Sequence, residues 1–417
     1  MIVGRRLFQR RLRLWFSRYL VAENLIKSVM KKDLLLAAFA LLGGMSAVNG
    51  QGLAVNDAER ASRLSIGGYG TIDYVQPIKS GFKQNGNLDV SRVVMMMNYQ
   101  FSSKTSFHTE IEFEHVKEIW IEQAYLNHRF DERLQLKAGL LLTPFGIVNE
   151  YHEPTSFNGV LRPAVDNNII PSTWREIGAG FQGRFSEAGL GYQVYVMNGF
   201  KSYDGGGLLG GSSGLRGGRQ KGAKAVMGSP SVAARLTYDA VPNLVLGVSG
   251  YFGETGSTLF NKLDKSNHAA MAKADSSVVN ISMVGADYRY SIGNFKTRGV
   301  VAYASLANVA EYNKLTKKDL GSAMLGYYVE FAYDLFAKDG SGEGALTPFV
   351  RYEKYDTNYK VASGATRKDA YNKQDWVFGV GYRIAKGAVL KADYLLSKSK
   401  ADDSAVGTLN LGVGVTF

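Results

Sequence analysis

The chain has 417 residues, with 48 Gly, 24 Tyr, 21 Phe, only 8 Pro and no Cys. Disulfides and thiolate metal centres are therefore excluded, and this balance of glycine, aromatics and proline suits a sheet protein with tight turns. The formal charge of +12 is uneven: nine of the 49 Lys and Arg and two of the 37 Asp and Glu fall in residues 1–50, leaving 40 against 35, or +5, for the rest. There the basic residues are scattered and form no dense patch, which excludes a nucleic-acid partner.

Residues 1–29 carry seven basic residues against one acid, Glu23. They read as an upstream segment ahead of a misassigned start, with Met30 as the true one. Met30-Lys31-Lys32 leads into the apolar run Leu34–Leu42 and then into small residues up to Gly50. Residues 30–50 thus read as a secretory signal peptide, cleaved near Gly50–Gln51. The apolar run is too short to cross a bilayer as a helix. A short segment, 51–63, precedes the folded part, 64–417.

From residue 64 onward the pattern repeats with period two. Phe107, Thr109, Ile111 and Phe113 alternate with His108, Glu110, Glu112 and Glu114; Trp376, Phe378, Val380, Tyr382 and Ile384 alternate with Asp375, Val377, Gly379, Gly381 and Arg383. Such alternation gives a strand one apolar and one mixed face. Sixteen strands are predicted, at 64–76, 88–101, 104–114, 118–129, 133–144, 175–186, 190–200, 230–239, 243–254, 277–290, 294–306, 323–336, 345–356, 373–385, 388–398 and 407–417. Their connections alternate between short (Ser102-Ser103, Asp131-Glu132, Ile292-Gly293, Lys386-Gly387) and long (145–174, 201–229, 255–276, 307–322, 357–372). Connection 115–117 is short for its place and 337–344 is long. The fold class is all-β: a transmembrane antiparallel barrel of about sixteen strands, with tight periplasmic turns and long outer loops. Closure pairs every backbone polar group, as lipid requires.

A barrel of this size holds a lumen too wide for side chains to fill. With the apolar face toward lipid, parity turns Arg133, Lys137, Arg235, Arg289, Arg383 and Lys391 inward as pore-lining cations. Asp239, Asp287, Asp393, Glu110, Glu112 and Glu114 face the same way. The long connection 145–174 holds Ile147, Val148, Val160, Leu161, Ile169 and Ile170, too many apolar residues for a solvated linker. It is predicted to fold inward and narrow the channel, with Glu150, Glu153, Arg162 and Asp166 at the constriction and Arg175 at its exit. The chain ends on Phe417 in mid-alternation. It resembles the terminal signal read by barrel-assembly machinery.

Four stretches carry a more specific resemblance: IEQAYLNHRF (121–130), LKAGLLLTPFG (136–146), NEYHEPTSFNGVLRP (149–163) and IIPSTWREIGAGFQG (169–183). They resemble the phosphate-selective porin O/P family, its Bacteroidetes-type members most, over about 118–200. The resemblance implies a sixteen-stranded homotrimeric porin, anion-selective in some members.

Other chemistry has no support. The five His show no metal-ligand spacing, so no metal site is expected. No nucleophile elbow marks a hydrolase. The glycine-rich run Gly205–Gly218 lacks the strand and helix of a phosphate loop and reads as a flexible outer loop. The function expected is an outer-membrane porin passing small hydrophilic solutes or ions, with an anion preference, no covalent chemistry and no cofactor. Its partners are outer-membrane lipid, the assembly machinery and the permeating ions. The alternative is a structural or adhesive surface protein with an occluded lumen.

Overall fold

The computed structural model describes residues 63–417, apart from 80, 337–342 and 403. The readings of 1–29 as an upstream segment, 30–50 as a signal peptide and nearly all of 51–63 as a leader to the barrel lie outside the described residues.

Sixteen strands close into one antiparallel barrel. They are β1 (Leu64–Ile78), β2 (Asn87–Gln100), β3 (Thr105–Glu114), β4 (Glu118–Arg129), β5 (Gln135–Leu142), β6 (Arg175–Phe185), β7 (Leu190–Met197), β9 (Ser231–Tyr238), β10 (Leu244–Glu254), β12 (Asn280–Ile292), β13 (Phe295–Ala307), β14 (Ala323–Tyr333), β15 (Leu346–Lys360), β16 (Asn372–Ala385), β17 (Ala388–Ser399) and β18 (Val406–Thr416). Each pairs with its chain neighbours, and β1 pairs with β18 to close the seam. Two further strands, β8 (Lys201–Tyr203) and β11 (Gly256–Ser257), form a small parallel pair among the outer loops. Among the described residues three α-helices also lie in loops: α1 (Val165–Asn168), α2 (His268–Asp275) and α3 (Val309–Thr316). All sixteen barrel strands fall where alternation put them. The largest shift is the outer end of β15, which runs on to Lys360.

Parity sorts the two faces. Ile72, Val93, Phe181, Val248, Val301, Phe378 and Val413 are exposed on the outside. Exposed Phe101, Phe130, Phe185, Tyr238, Tyr333 and Tyr382 ring the end with the short turns. An apolar belt with an aromatic rim is the surface a bilayer stabilises.

The register shifts at several places in the barrel, and one of these shifts bears on the lumen. Between β3 and β4 the register shifts after Glu110: Glu110 opposes Gln123, but Ile111 opposes Ile121. Glu122 is the extra residue of a β-bulge. The bulge keeps Ile121 facing lipid and turns Glu122 into the lumen, where it is 0 % exposed. Bulges re-aim side chains in this way.

The apolar core lies inside the barrel. Phe145, Ile147, Val148, Val165, Ile169, Ile170 and Trp174 come from the connection between β5 and β6 and pack against inward residues of the wall, among them Tyr195, Tyr251, Met283, Ala302 and Tyr328. This connection, here the inner loop, was predicted to fold inward on its apolar content, and it lies within the barrel. Wall glycines make room for it. A Cβ at Gly326 would meet Ile169 at 2.7 Å, and one at Gly412 would meet Val160 at 2.9 Å.

The glycine-rich run is not the flexible loop expected. Leu209 and Leu215 are fully buried in the same core, and Tyr312 of α3 donates its hydroxyl proton into backbone carbonyls of that run and its flank. Glycine here serves close packing rather than freedom; the Gly211 position touches Tyr371 and Asp319.

Candidate functional site

The inner loop leaves β5 at Leu142 and returns at Arg175, and between them it touches most of the wall. Gly146 N–H points to Ser249 on β10. His152 meets Tyr69 on β1 and Glu122 on β4. Pro154, Phe157 and Gly159 offer their carbonyls to the Lys391 ammonium on β17. Val160 N–H donates to Asp393 at 2.7 Å, and Asn158 donates to Glu330 on β14 at 2.9 Å. Val165 N–H donates to Glu353 on β15 at 3.2 Å. The loop is a crossbar within the lumen.

The charged residues of the wall fall into groups. Arg235 grips Asp287 through two nitrogens at 2.6 and 2.8 Å. Arg298, Arg351, Glu330 and Glu353 form a linked set, with Arg351 at 3.0 Å from Glu330 and 2.6 Å from Glu353. These groups are internally balanced and stiffen the wall.

A third group is not balanced. Arg92 of β2, Arg162 and Arg175 at the inner loop, and Arg216, Arg219 and Lys221 of the β7–β9 connection lie within electrostatic reach of one another. The carboxylates among them are Glu110, Glu112, Glu114 and Glu122. Arg92 takes Glu112 at 3.1 Å, and Arg175 comes no nearer than 3.9 Å to Glu122. Arg216 and Arg219 spend their donors on the carbonyls of Ser172, Pro171 and Thr173. Lys221 lies over the Trp120 ring, 4.0 Å from its centre. Among the described residues, Arg162, Arg216, Arg219 and Lys221 make no ion pair with a carboxylate. Burial, then the like charges of Arg216 and Arg175, push the Arg219 guanidinium down to about 9. Burial and Arg92 bring Arg162 to about 10. Both are cations in a field that favours an added anion.

The predicted site residues scatter around this picture. Glu150 accepts from Gln193 at 2.7 Å, and burial raises its carboxyl above the usual range. Glu153 is half-buried and caps a turn through its carbonyl. Arg162 joins the basic group, and Arg175, only 2 % exposed, stands at its edge with Thr173. Asp166, on α1 of the loop, is fully buried, a correction to its expected place at an open constriction that follows from the loop's tight packing there. Lys137 faces inward over Tyr125, and Arg289 and Arg383 face inward on β12 and β16. Arg133 is corrected: it stands in the turn before β5 and pairs with exposed Glu187. Lys391 faces inward on β17, where its ammonium is held by loop carbonyls.

Sequence reasoning missed Arg92, Arg216 and Arg219. Arg92 follows parity on β2, but the other two sit in a run whose glycines suggested only looseness. It also missed one cluster altogether. Glu110, Glu122 and His152 offer ligand atoms within 4.8 Å of one another, all buried. Their positions are far apart in sequence, so spacing could not show it.

No protein-family model matches the chain. Among solved structures, the outer-membrane channel DcaP of Acinetobacter baumannii aligns with a TM-score of 0.56 at 12% identity, over 85% of this chain and 97% of that one. An anion-selective porin from Comamonas acidovorans gives 0.52 at 12% identity, over 85% of this chain and 99% of that one, and Salmonella typhi OmpF in complex with daunomycin gives 0.51 at 12%, over 85% of this chain and 97% of that one. The fold is thus that of the outer-membrane porins, and the chain is a multi-pass β-barrel of the outer membrane. An uncharacterized protein of Aquifex aeolicus (strain VF5) is 32% identical over 355 residues, 82% of this chain and 77% of that protein. With that identity over most of both sequences, the chain belongs to the same family as the Aquifex aeolicus protein.

Proposed function

We propose that the barrel is a passive diffusion channel for small hydrophilic anions, phosphate-like oxyanions included, that works as a homotrimer and performs no covalent chemistry. One observation carries the reading: Arg92, Arg162, Arg175, Arg216, Arg219 and Lys221, six cations, outnumber the four glutamates Glu110, Glu112, Glu114 and Glu122 between the inner loop and the β7–β9 connection. In a narrow section an ion loses part of its hydration shell, so fixed charge weighs more than on an open surface. A surplus of guanidinium there lowers the barrier for anions and raises it for cations. Arginine also suits oxyanions, because its planar fork bonds two oxygens at once. The fold of an anion-selective porin from Comamonas acidovorans is compatible with this reading. The trimer rests on the family resemblance of residues 118–200 and on a trimeric form among the structural neighbours.

Reconstitution into planar bilayers tests the proposal. Stable conductance steps are expected, with a reversal potential of anion sign in a salt gradient. Arg162→Glu and Arg219→Glu each shift it toward cations; Lys386→Glu in an exposed turn shifts it less, because salt screens open charges within about 10 Å. Cation-selective steps in the unmodified protein would reject the anion preference. A correctly folded barrel with no steps would instead favour the occluded, adhesive alternative.

A further inference from the structure

We propose that Glu110, Glu122 and His152 form a binding site for a divalent transition metal, Zn²⁺ by its donor set, that clips the inner loop to the barrel wall. The three residues come from β3, β4 and the loop, and their ligand atoms lie within 4.8 Å of one another. Glu122 reaches the site only because the bulge turns it inward.

The hydrogen bonds around His152 leave room for a cation. Nδ1 lies 3.0 Å from the carbonyl of Asn149. A carbonyl only accepts, so Nδ1 carries a proton and donates it. In the neutral ring Nε2 then bears a lone pair. Nε2 lies 3.1 Å from Glu122 Oε2 and 2.8 Å from the Tyr69 hydroxyl. That hydroxyl has one proton, and it also stands 3.0 Å from the same Glu122 oxygen as a donor. With that proton given to Glu122, Nε2 faces two oxygens with nothing to offer it. A cation resolves the contact: either a proton on Nε2 or a metal ion bound by it.

The surroundings favour the metal. Glu122 Oε1 is buried without a hydrogen-bond partner; Arg92 and Arg175 stand off at 3.9 Å. Glu110 is 4 % exposed and brings a second carboxylate into the same space. Histidine whose far nitrogen donates to a backbone carbonyl is the usual arrangement of a metal-bound imidazole. One imidazole and two carboxylates suit Zn²⁺ better than Mg²⁺ or Ca²⁺, which prefer oxygen alone. Arg92 is engaged by Glu112 at 3.1 Å, so it remains an outer neighbour that moderates affinity. The structural consequence is local. The loop's two ends are fixed by apolar packing, and the metal fixes the stretch between Asn149 and Glu153.

This site does not depend on what the channel conducts, and its test is separate. The barrel, treated with EDTA in detergent, is titrated with Co²⁺ alone. Visible d–d absorption with nitrogen and oxygen donors is expected, displaced by Zn²⁺, and Zn²⁺ alone raises the heat-unfolding midpoint. His152→Gln and Glu122→Gln each remove the absorption and the rise. Tyr69→Phe lowers Zn²⁺ affinity about 10-fold, the scale of an outer-shell change. His268→Gln, on an exposed outer-loop helix, leaves both effects intact. Heat-modifiable mobility on gels shows which variants are folded. A folded wild-type barrel without Co²⁺ absorption would overturn the proposal and assign the contact to a proton.

Discussion

Asp166 sits on α1 of the inner loop with both carboxylate oxygens buried beside the Tyr328 hydroxyl. Burial first, then the nearby Glu353 charge, pushes its carboxyl up to about 7. An aspartate in an unfolded chain titrates at about 3.9. Between those values the folded chain holds the extra proton, so its stability contribution is complete below the unfolded value. It falls by about 1.4 kcal/mol per pH unit as pH rises and is lost above the folded value. Asp166→Asn keeps the shape and removes the titration. Its urea-unfolding midpoint is expected to exceed that of wild type by a margin that widens from pH 4 to pH 8. A constant margin would show Asp166 ionised throughout. Legibility at this scale is uneven. Arg162 was readable as a lumen residue because an apolar loop carrying charge has to go somewhere. Glu122 and His152 were not, since their meeting needs a bulge and a contact between a strand and a loop. Arg216 and Arg219 were hidden by neighbours whose glycines imply mobility when taken alone.

The inner loop is the element that the barrel's interior is built around. Wall glycines admit it, the Lys391 ammonium gathers three of its carbonyls, and its apolar face supplies about a quarter of the core. Because it crosses the lumen, shortening 149–170 is expected to raise single-channel conductance. Unchanged conductance would place the narrowest section at Arg289 and Arg383 on the wall. The closing element behaves differently. Phe417 exchanges two backbone hydrogen bonds with Gly68 of β1, each 2.9 Å, while its ring stands outward and is 77 % exposed. Backbone pairing survives a side-chain change, so Phe417→Asp should leave the folded barrel's melting point nearly unaltered. It should still lower the amount reaching the membrane in cells if the ring is the assembly signal that its terminal position suggests. Equal amounts would show that the ring carries no signal. Strands were legible for a simple reason: a two-residue period is written locally, and a closed sheet imposes it sixteen times. Loops carry no period, so only their composition pointed inward.

At the scale of the whole barrel, the outward face has to satisfy lipid along its full height, and that demand varies with depth. Val248 lies at the middle of β10, 58 % exposed, between strands whose outward residues are also apolar. Ile292 is exposed to the same degree, at 59 %, but closes β12 beside the Gly293 turn. Exposure alone would rank the two positions equal. Their surroundings differ, because a cation at the hydrocarbon midplane must shed water or drag it inward, whereas one at the rim can extend its long side chain to the headgroups. Val248→Arg is therefore expected to cost about 2–4 kcal/mol of folding free energy in lipid vesicles, and Ile292→Arg about 0–1 kcal/mol. In detergent micelles, which deform around a charge, the gap should shrink. The inward neighbour Ser249 supplies the contrast within one strand: it receives a hydrogen bond from Arg235 at 2.8 Å, so a positive charge one residue away is already accommodated on the lumen side. Denaturant titrations of the two variants in vesicles, followed by tryptophan fluorescence, measure the difference. Equal costs at the two depths would mean that this face does not meet a bilayer, and the outer-membrane placement would fall with it.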